Sequence, residues 1–288
     1  MTEKLIDAMR KRRANGAKVK DLAAEVGVTW QRLDKALRHG TPLEGATITL
    51  DPEPSPRNGT SHKAVTAALE PSKTGSLTER YRPRTLNGIW GQETPVRFLK
   101  KFAAKPYPAA FLFEGETGTG KTSAALCLAS ALGVPVEVGE FGGLYTVASG
   151  EQSADGVRTI CDRVCHIPMM GSGWKVVIVN EVDRMHLAAE TIWLDTLEQL
   201  PLKTVIIFTT NDNARLTGRF RDRCIRLKFE SDARKQESTG RAFAEAIWKL
   251  EAGKKPDPET IAEVVQEATE GRQISFRRIV QSLNLRLP

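Results

Sequence analysis

The sequence predicts an α/β fold: a parallel β-sheet flanked by helices, followed by a small helical lid and preceded by a small all-α domain. Three observations carry that expectation. Short apolar runs such as Val176–Val179 and Val205–Phe208 lack any polar break, which suits strands buried on both faces of a parallel sheet. From about Glu79 these runs alternate with helical patterns, the signature of an α/β domain. From about Ser231 the pattern is helical only.

The chain has 288 residues, enough for one large domain or two smaller ones. Its 40% hydrophobic and 27% charged composition is that of a soluble globular protein. No apolar run approaches the roughly 20 residues that span a bilayer, so no membrane partner is expected. The opening MTEKLIDAMRKRR has no apolar signal core, which predicts a cytoplasmic protein with its four cysteines reduced. A net charge of +7 and a pI near 9.3 permit a nucleic-acid partner.

Four segments follow from these patterns. Residues 1–40 read as a helix-turn-helix domain and residues 41–78, rich in Pro, Gly, Ser and Thr, as a flexible linker. Residues 79–230 form the α/β core, and residues 231–288 the helical lid.

In the first segment, VKDLAAEVGVTWQRLDKALRHG gives two short helices around Gly27, with Leu22, Ala23, Val26, Val28, Leu33, Ala36 and Leu37 as core. Thr29 can cap the second helix. With Thr29, the outward-facing Trp30, Gln31, Arg32, Lys35 and Arg38 are the DNA-binding candidates, because such a helix enters the major groove by its N-terminal end. Residues 1–40 hold ten Lys or Arg against five Asp or Glu, a net +5 that suits phosphate contacts. A three-helix protein-interaction module with a solvated basic face is the alternative.

FLFEGETGTGKTSAALCLASALG contains the most specific motif. A strand over Ala109–Glu114 runs into Gly115, Glu116, Thr117, Gly118, Thr119, Gly120, Lys121 and Thr122, which fit G-x-x-x-x-G-K-[ST], and a helix follows to about Leu132. The glycines turn backbone N–H groups toward phosphate oxygens, and the helix N-terminus adds positive charge. Lys121 is expected on the β- and γ-phosphates and Thr122 on Mg²⁺, so ATP and Mg²⁺ are the expected cofactors.

Some sixty residues later, WKVVIVNEVD ends a buried strand in acidic residues. Glu181 is the candidate to polarise an attacking water. Asn180 stands where a carboxylate usually holds the Mg²⁺ shell; its amide oxygen can accept from a metal-bound water but brings no charge. Weakened hydrolysis and a binding-only chain both remain open. The next helix presents Ile192, Leu194, Leu197 and Leu200 to a core. A further strand ends in Thr209, Thr210 and Asn211, beside a ligand crevice. GRFRDRCIRLKF clusters Arg219, Arg221 and Arg223 before a strand over Ile225–Phe229; Arg219 and Arg221 are expected to be solvated. Cys161 and Cys165 lie one helical turn apart and are expected to face the core, and no structural zinc is expected.

Taken in order, these motifs resemble those of the AAA+ ATPases, and within them the clamp-loader subunits of the replication factor C small-subunit and DNA polymerase III gamma type. The resemblance runs from about Glu79 to the C-terminus. It implies that ERYRPRTLNGIWGQE lines an adenine pocket, with Tyr81, Arg82, Pro83, Gly91 and Gln92 near the base. It makes Gly115–Thr122, with Ser123 beside it, the Walker A loop, and Asn180-Glu181 the Walker B pair. Asn211 falls at sensor 1. Arg223 matches the arginine finger, acting across a subunit boundary, and Arg277 matches the sensor-2 arginine, with Arg278 as alternative. The implied catalytic set is Lys121, Glu181, Asn211 and Arg223.

Three departures qualify the resemblance. Asn180 replaces an aspartate. Asp222 replaces a serine, placing a carboxylate where it can pair with Arg223. Clamp-loader subunits continue into a helical collar, whereas this sequence reaches Pro288 just after the lid; a ring is therefore expected to rest on AAA+ contacts, another protein or DNA. The implied function is ATP-driven assembly and release of a complex on DNA, with neighbouring AAA+ subunits and a sliding clamp or helicase as partners. A helicase-loader or mobile-element helper ATPase is one alternative. A non-hydrolysing ATP-binding scaffold is the other.

Overall fold

The computed structural model describes residue 71 and residues 75–148 and 152–287. The helix-turn-helix of residues 1–40, with Thr29, Trp30, Gln31, Arg32, Lys35 and Arg38, lies outside the described residues, as does most of the linker.

Helix α1 (Leu77–Arg80) comes first, followed by α2 (Glu93–Ala104), β1 (Ala109–Glu114) and α3 (Lys121–Ala131). Next come β2 (Leu144–Val147), α4 (Ala154–Arg163), β3 (Lys175–Val179), α5 (Leu187–Glu198) and β4 (Thr204–Thr210). Then come α6 (Gly218–Asp222), β5 (Ile225–Lys228), α7 (Ala233–Ala252), α8 (Pro258–Glu267), β6 (Thr269–Glu270), β7 (Gln273–Ile274) and α9 (Phe276–Arg286).

β1 to β5 form one parallel sheet in the order β2-β3-β4-β1-β5. Side chains alternate across a strand, so each strand feeds two cores. Phe111, Phe113, Val176, Ile178, Val205 and Ile207 pack on one face with Leu128 of α3 and Leu99 of α2. Leu112, Val177, Val179, Ile206 and Phe208 pack on the other, against Trp193 of α5 and Phe220 of α6. Covering both faces explains why the strand sequences read as unbroken apolar runs. From β1 the chain crosses to the β2 edge, and from β4 it crosses to the opposite edge, β5. The direction reverses at β1 and β4, and a crevice for ligands opens at their C-terminal ends.

Helices α7, α8 and α9 enclose a third apolar cluster, including Phe243, Ile247, Val264, Ile279 and Leu283, which also takes in Leu77, Tyr81 and Trp90 from the entry segment. Asp232 caps α7, accepting from the Arg234 amide at 2.9 Å, and Gly253 ends the helix at φ 67°, a left-handed turn that glycine adopts without strain. Pro258 opens α8 at a position where its missing N–H costs nothing.

Several details differ from the sequence expectations. The C-terminal segment is not purely helical: β6 and β7 pair antiparallel, over a ladder too short to leave a periodic signal. Leu77 and Thr78, assigned to the linker, open α1, because the Ser76 hydroxyl caps it and Leu77 is buried. Edge strand β2 was not foreseen. On α5 the buried residues are Ala189, Glu190, Trp193 and Leu197, while Ile192 and Leu194 are half-buried at its margin, as is Leu200 just beyond its end. Cys165 is exposed rather than core-facing, since the chain leaves α4 before it; Cys161 is half-buried and accepts from the Thr196 hydroxyl at 3.1 Å. Among the described residues no single helix is long and apolar enough to cross a membrane.

Candidate nucleotide site

The loop after β1 is shaped by glycine. Gly115, Gly118 and Gly120 have φ of 149°, 83° and 94°, values that side chains resist. Gly118 has a second reason to lack a side chain: a Cβ there would lie 2.0 Å from the Ser275 hydroxyl at the start of α9. The loop is thus clasped from above by the last helix.

Lys121 is the first residue of α3, and its side chain is buried at 8% exposure. Its ammonium has three donors and uses all of them, on Gly115 O at 2.7 Å, Glu116 O at 2.9 Å and Asn211 Oδ1 at 3.0 Å. Burial lowers its pKa from 10.5 to about 8; Glu116 opposes that shift, Arg277 adds to it, and Asp183 and Glu181 oppose it. The Thr119 hydroxyl holds the loop by donating to Glu116 O at 2.8 Å.

The opposite wall is the end of β3. Asn180 Oδ1 accepts from the Thr122 hydroxyl at 3.1 Å and from the Thr209 hydroxyl at 3.3 Å. Its backbone is pinned on both sides: its N–H donates to Val147 O at 3.0 Å, and buried Gln152 donates its side-chain amide to Asn180 O. Glu181 then adopts φ 54°, ψ 51°, the left-handed region a glutamate rarely occupies. Its carboxylate is 3.7 Å from Arg184 Nε. The turn it starts carries Asp183 to the end of β4, where Asp183 Oδ1 accepts from the Thr210 hydroxyl and the Asn211 N–H.

A cleft of about 100 Å³ lies between the loop and the C-terminal helices. Tyr81, Arg82, Pro83, Gly118, Thr119, Gly120, Ser123 and Arg277 line it. Trp90, Phe243 and Phe276, which the sequence reading did not single out, supply apolar ring surface. Tyr81 is mostly buried, and its hydroxyl donates to Glu251 at 2.6 Å; burial first, then that bond, raises its pKa. Gly91 and Gln92 do not line the cleft. Gly91 O accepts from Gln236 at 2.6 Å, and the Gln92 amide exchanges two 2.8 Å hydrogen bonds with the Glu230 backbone. They tie the entry segment to the start of α7 instead.

Arg277 faces the cleft with no ion pair among the described residues, whereas Arg278 is held by Glu270 at 2.6 Å. That difference separates the two sensor-2 candidates. Arg223 is at the opposite end of the core and pairs with Glu198 of α5, not with Asp222. Its second contact, to Arg219 O at 3.3 Å, keeps the guanidinium beside α6. The structure therefore brings Lys121, Thr122, Asn180, Glu181 and Asn211 to one crevice, with Arg277 above them and Arg223 elsewhere. Thr209, expected beside the crevice, belongs to the same network, as do Asp183 and Gln152, which were not foreseen. Only the VNEVD run, with an acid three residues after Asn180, hinted at Asp183.

Residues 135–233 match a family model described as DNA polymerase III, delta subunit. The replication factor C small subunit of Thermoplasma volcanium is 29% identical over 153 residues, covering 53% of this chain and 48% of that protein. The same subunit of Thermofilum pendens is 34% identical over 53% of this chain and 46% of its own. Replication factor C subunit 3 of Saccharomyces cerevisiae is 30% identical over 53% and 44%. The chain spans about half the length of these relatives. A solved DNA polymerase III gamma subunit-related protein from Thermotoga maritima overlaps 66% of this chain and 69% of its own at 18% identity and a TM-score of 0.45. Family match, relatives and sheet topology agree with the motif order: the P-loop module of this chain is similar to those of clamp-loader-like AAA+ proteins.

Proposed function

We propose that the chain binds ATP in the cleft between the P-loop and the C-terminal helices and hydrolyses it to assemble and release a protein complex on DNA. One observation carries this reading. Lys121, Thr122, Asn180 and Asn211, drawn from three separate strand ends, are joined by hydrogen bonds of 3.0–3.1 Å around one phosphate-sized loop. In this reading residues 79–230 form the ATPase core and residues 231–288 the lid.

Each residue has a distinct task. Lys121 exchanges its backbone and Asn211 partners for phosphate oxygens. Glu181 orients the attacking water, and Asn211 holds it or the γ-phosphate in line. Arg277 reaches the nucleotide from the lid. Arg223 leaves Glu198 to act on a neighbouring subunit's nucleotide, stabilising transferred charge. The hydroxyl of Thr122 and the amide oxygen of Asn180 are the hard oxygen donors that Mg²⁺ takes, Asn180 through water; they already point at each other across 3.1 Å. When bound, Mg²⁺ supplies charge neutralisation for the phosphates.

Residues 1–40, at net +5, would hold the motor to DNA and raise its local concentration there. Its partners in this reading are neighbouring AAA+ subunits and a sliding clamp. Helicase loading is separated from clamp loading by which of the two proteins co-purifies with the chain. A second reading, a binding-only scaffold, is favoured by Asn180 alone. Steady-state ATP hydrolysis with Mg²⁺, with and without primed DNA, decides between motor and scaffold. DNA-stimulated turnover that the Glu181→Gln variant lacks supports the motor; wild-type turnover no faster than that variant supports the scaffold.

A further inference from the structure

We propose that Asp183 is a positioning residue that sets Asn211 over the P-loop lysine; the inference rests on the nucleotide-binding reading of the cleft. Glu181 sits at φ 54°, so the chain turns sharply at the end of β3 and runs into a short turn over Val182–Arg184. Val182 is buried, which anchors that turn in the core. The turn carries Asp183, half-buried, across to β4, the neighbouring strand.

Asp183 Oδ1 then accepts from the Thr210 hydroxyl at 3.2 Å and from the Asn211 N–H at 3.4 Å. Thr210 is buried, and its hydroxyl, whose single proton serves either Asp183 Oδ1 or Asp212 O at 2.9 Å, accepts from the Asp212 N–H at 3.1 Å, so it closes the turn that follows β4. Asn211 lies between these contacts. With its backbone fixed by Asp183, its side-chain oxygen meets Lys121 Nζ at 3.0 Å. One hydrogen-bonded path, Asp183 to Asn211 to Lys121, crosses the crevice from β3 to β1. Asn180 cannot supply this support: its side-chain oxygen is occupied by Thr122 and Thr209. A shift of about 1 Å at a group that contacts the terminal phosphate is enough to cost catalysis heavily, so the support has a measurable consequence.

The test is a binding cycle on the full chain, read by titrating ADP and a non-hydrolysable ATP analogue with Mg²⁺. Four variants are compared with wild type: Asp183→Ala, Asp183→Asn, Asn211→Ala and the double Asp183→Ala/Asn211→Ala. Thermal melts check that each is folded. Wild type is expected to prefer the triphosphate. Asn211→Ala and Asp183→Ala should each lower that preference by roughly tenfold, the worth of one hydrogen bond to a charged group. The double variant should be no worse than Asn211→Ala alone, because both changes break one path. Asp183→Asn keeps the accepting oxygen and should stay within about threefold of wild type. The proposal is overturned if Asp183→Ala matches wild type, if the two single losses multiply, or if Asp183→Asn is as damaging as Asp183→Ala. Wild type that binds neither nucleotide overturns the reading of the cleft itself, an outcome distinct from the other three.

Discussion

The two walls of the crevice are built by opposite strategies. The P-loop wall is a contiguous stretch in which glycines at positive φ bend the backbone and Lys121 is the first residue of α3. The β3 wall is assembled from parts far apart in sequence: Asn180, Thr209 of β4 and Gln152 from the segment before α4. The contiguous wall carries its chemistry in a spacing. The assembled wall carries it in contacts, with Asn180 Oδ1 shared between the Thr122 and Thr209 hydroxyls. On this account the two walls respond differently to mutation.

The largest expected effect is on the P-loop side. Lys121→Ala removes the ammonium that would charge-pair with phosphate and should weaken ATP binding by roughly 100-fold or more, measured by calorimetry. On the β3 side, Glu181→Gln should lower kcat by roughly 100-fold while leaving ATP affinity within about threefold, because its task falls in the chemical step. Equal losses of affinity in the two variants would erase the contrast.

A pH titration sharpens it. Burial leaves the Lys121 pKa at about 8, below its usual 10.5. Above pH 8 the empty site holds a neutral lysine, and binding a triphosphate must then take up a proton. Affinity should therefore fall by up to about tenfold per pH unit above 8 and stay flat just below it. The effect on folding has the opposite sign. Between about pH 8 and 10.5 the unfolded chain binds the extra proton, so stability rises with pH across that window as the cost of burying the ammonium disappears.

The smallest expected change is Asn180→Asp. It restores a carboxylate beside the Thr122 hydroxyl and should lower the Mg²⁺ concentration needed for half-maximal ATP binding by a few-fold, roughly threefold to tenfold, with little effect in EDTA. No shift at all would mean that the β3 wall does not approach the metal.

Much of this architecture was legible in the sequence, for physical reasons that also mark the limits. β1, β3 and β4 were visible because strands buried on both faces leave unbroken apolar runs, and the P-loop was visible because its geometry demands fixed residue types. Trp193 was missed because the apolar stripe of α5 fits two faces, and only contact with Phe208, at 5.3 Å between ring centroids, selects one. Gly91 and Gln92 were placed by resemblance near the base; their bonds to Gln236 and Glu230 span 145 and 138 residues, a range at which local pattern carries no information. Asp222 was read only as able to pair with Arg223. The pairing with Glu198 depends on how α6 packs against α5, which no spacing encodes. The sheet edge β2 has four residues, one of them exposed, too little signal to separate from loop.

The measurement that bears most directly on the central claim is calorimetric titration of Mg²⁺-ATP into the full chain, wild type against Lys121→Ala. The account predicts saturable binding of one ATP per chain that is lost or weakened roughly 100-fold in the variant. Wild type that shows no saturable binding, or a variant that binds as tightly as wild type, would contradict it.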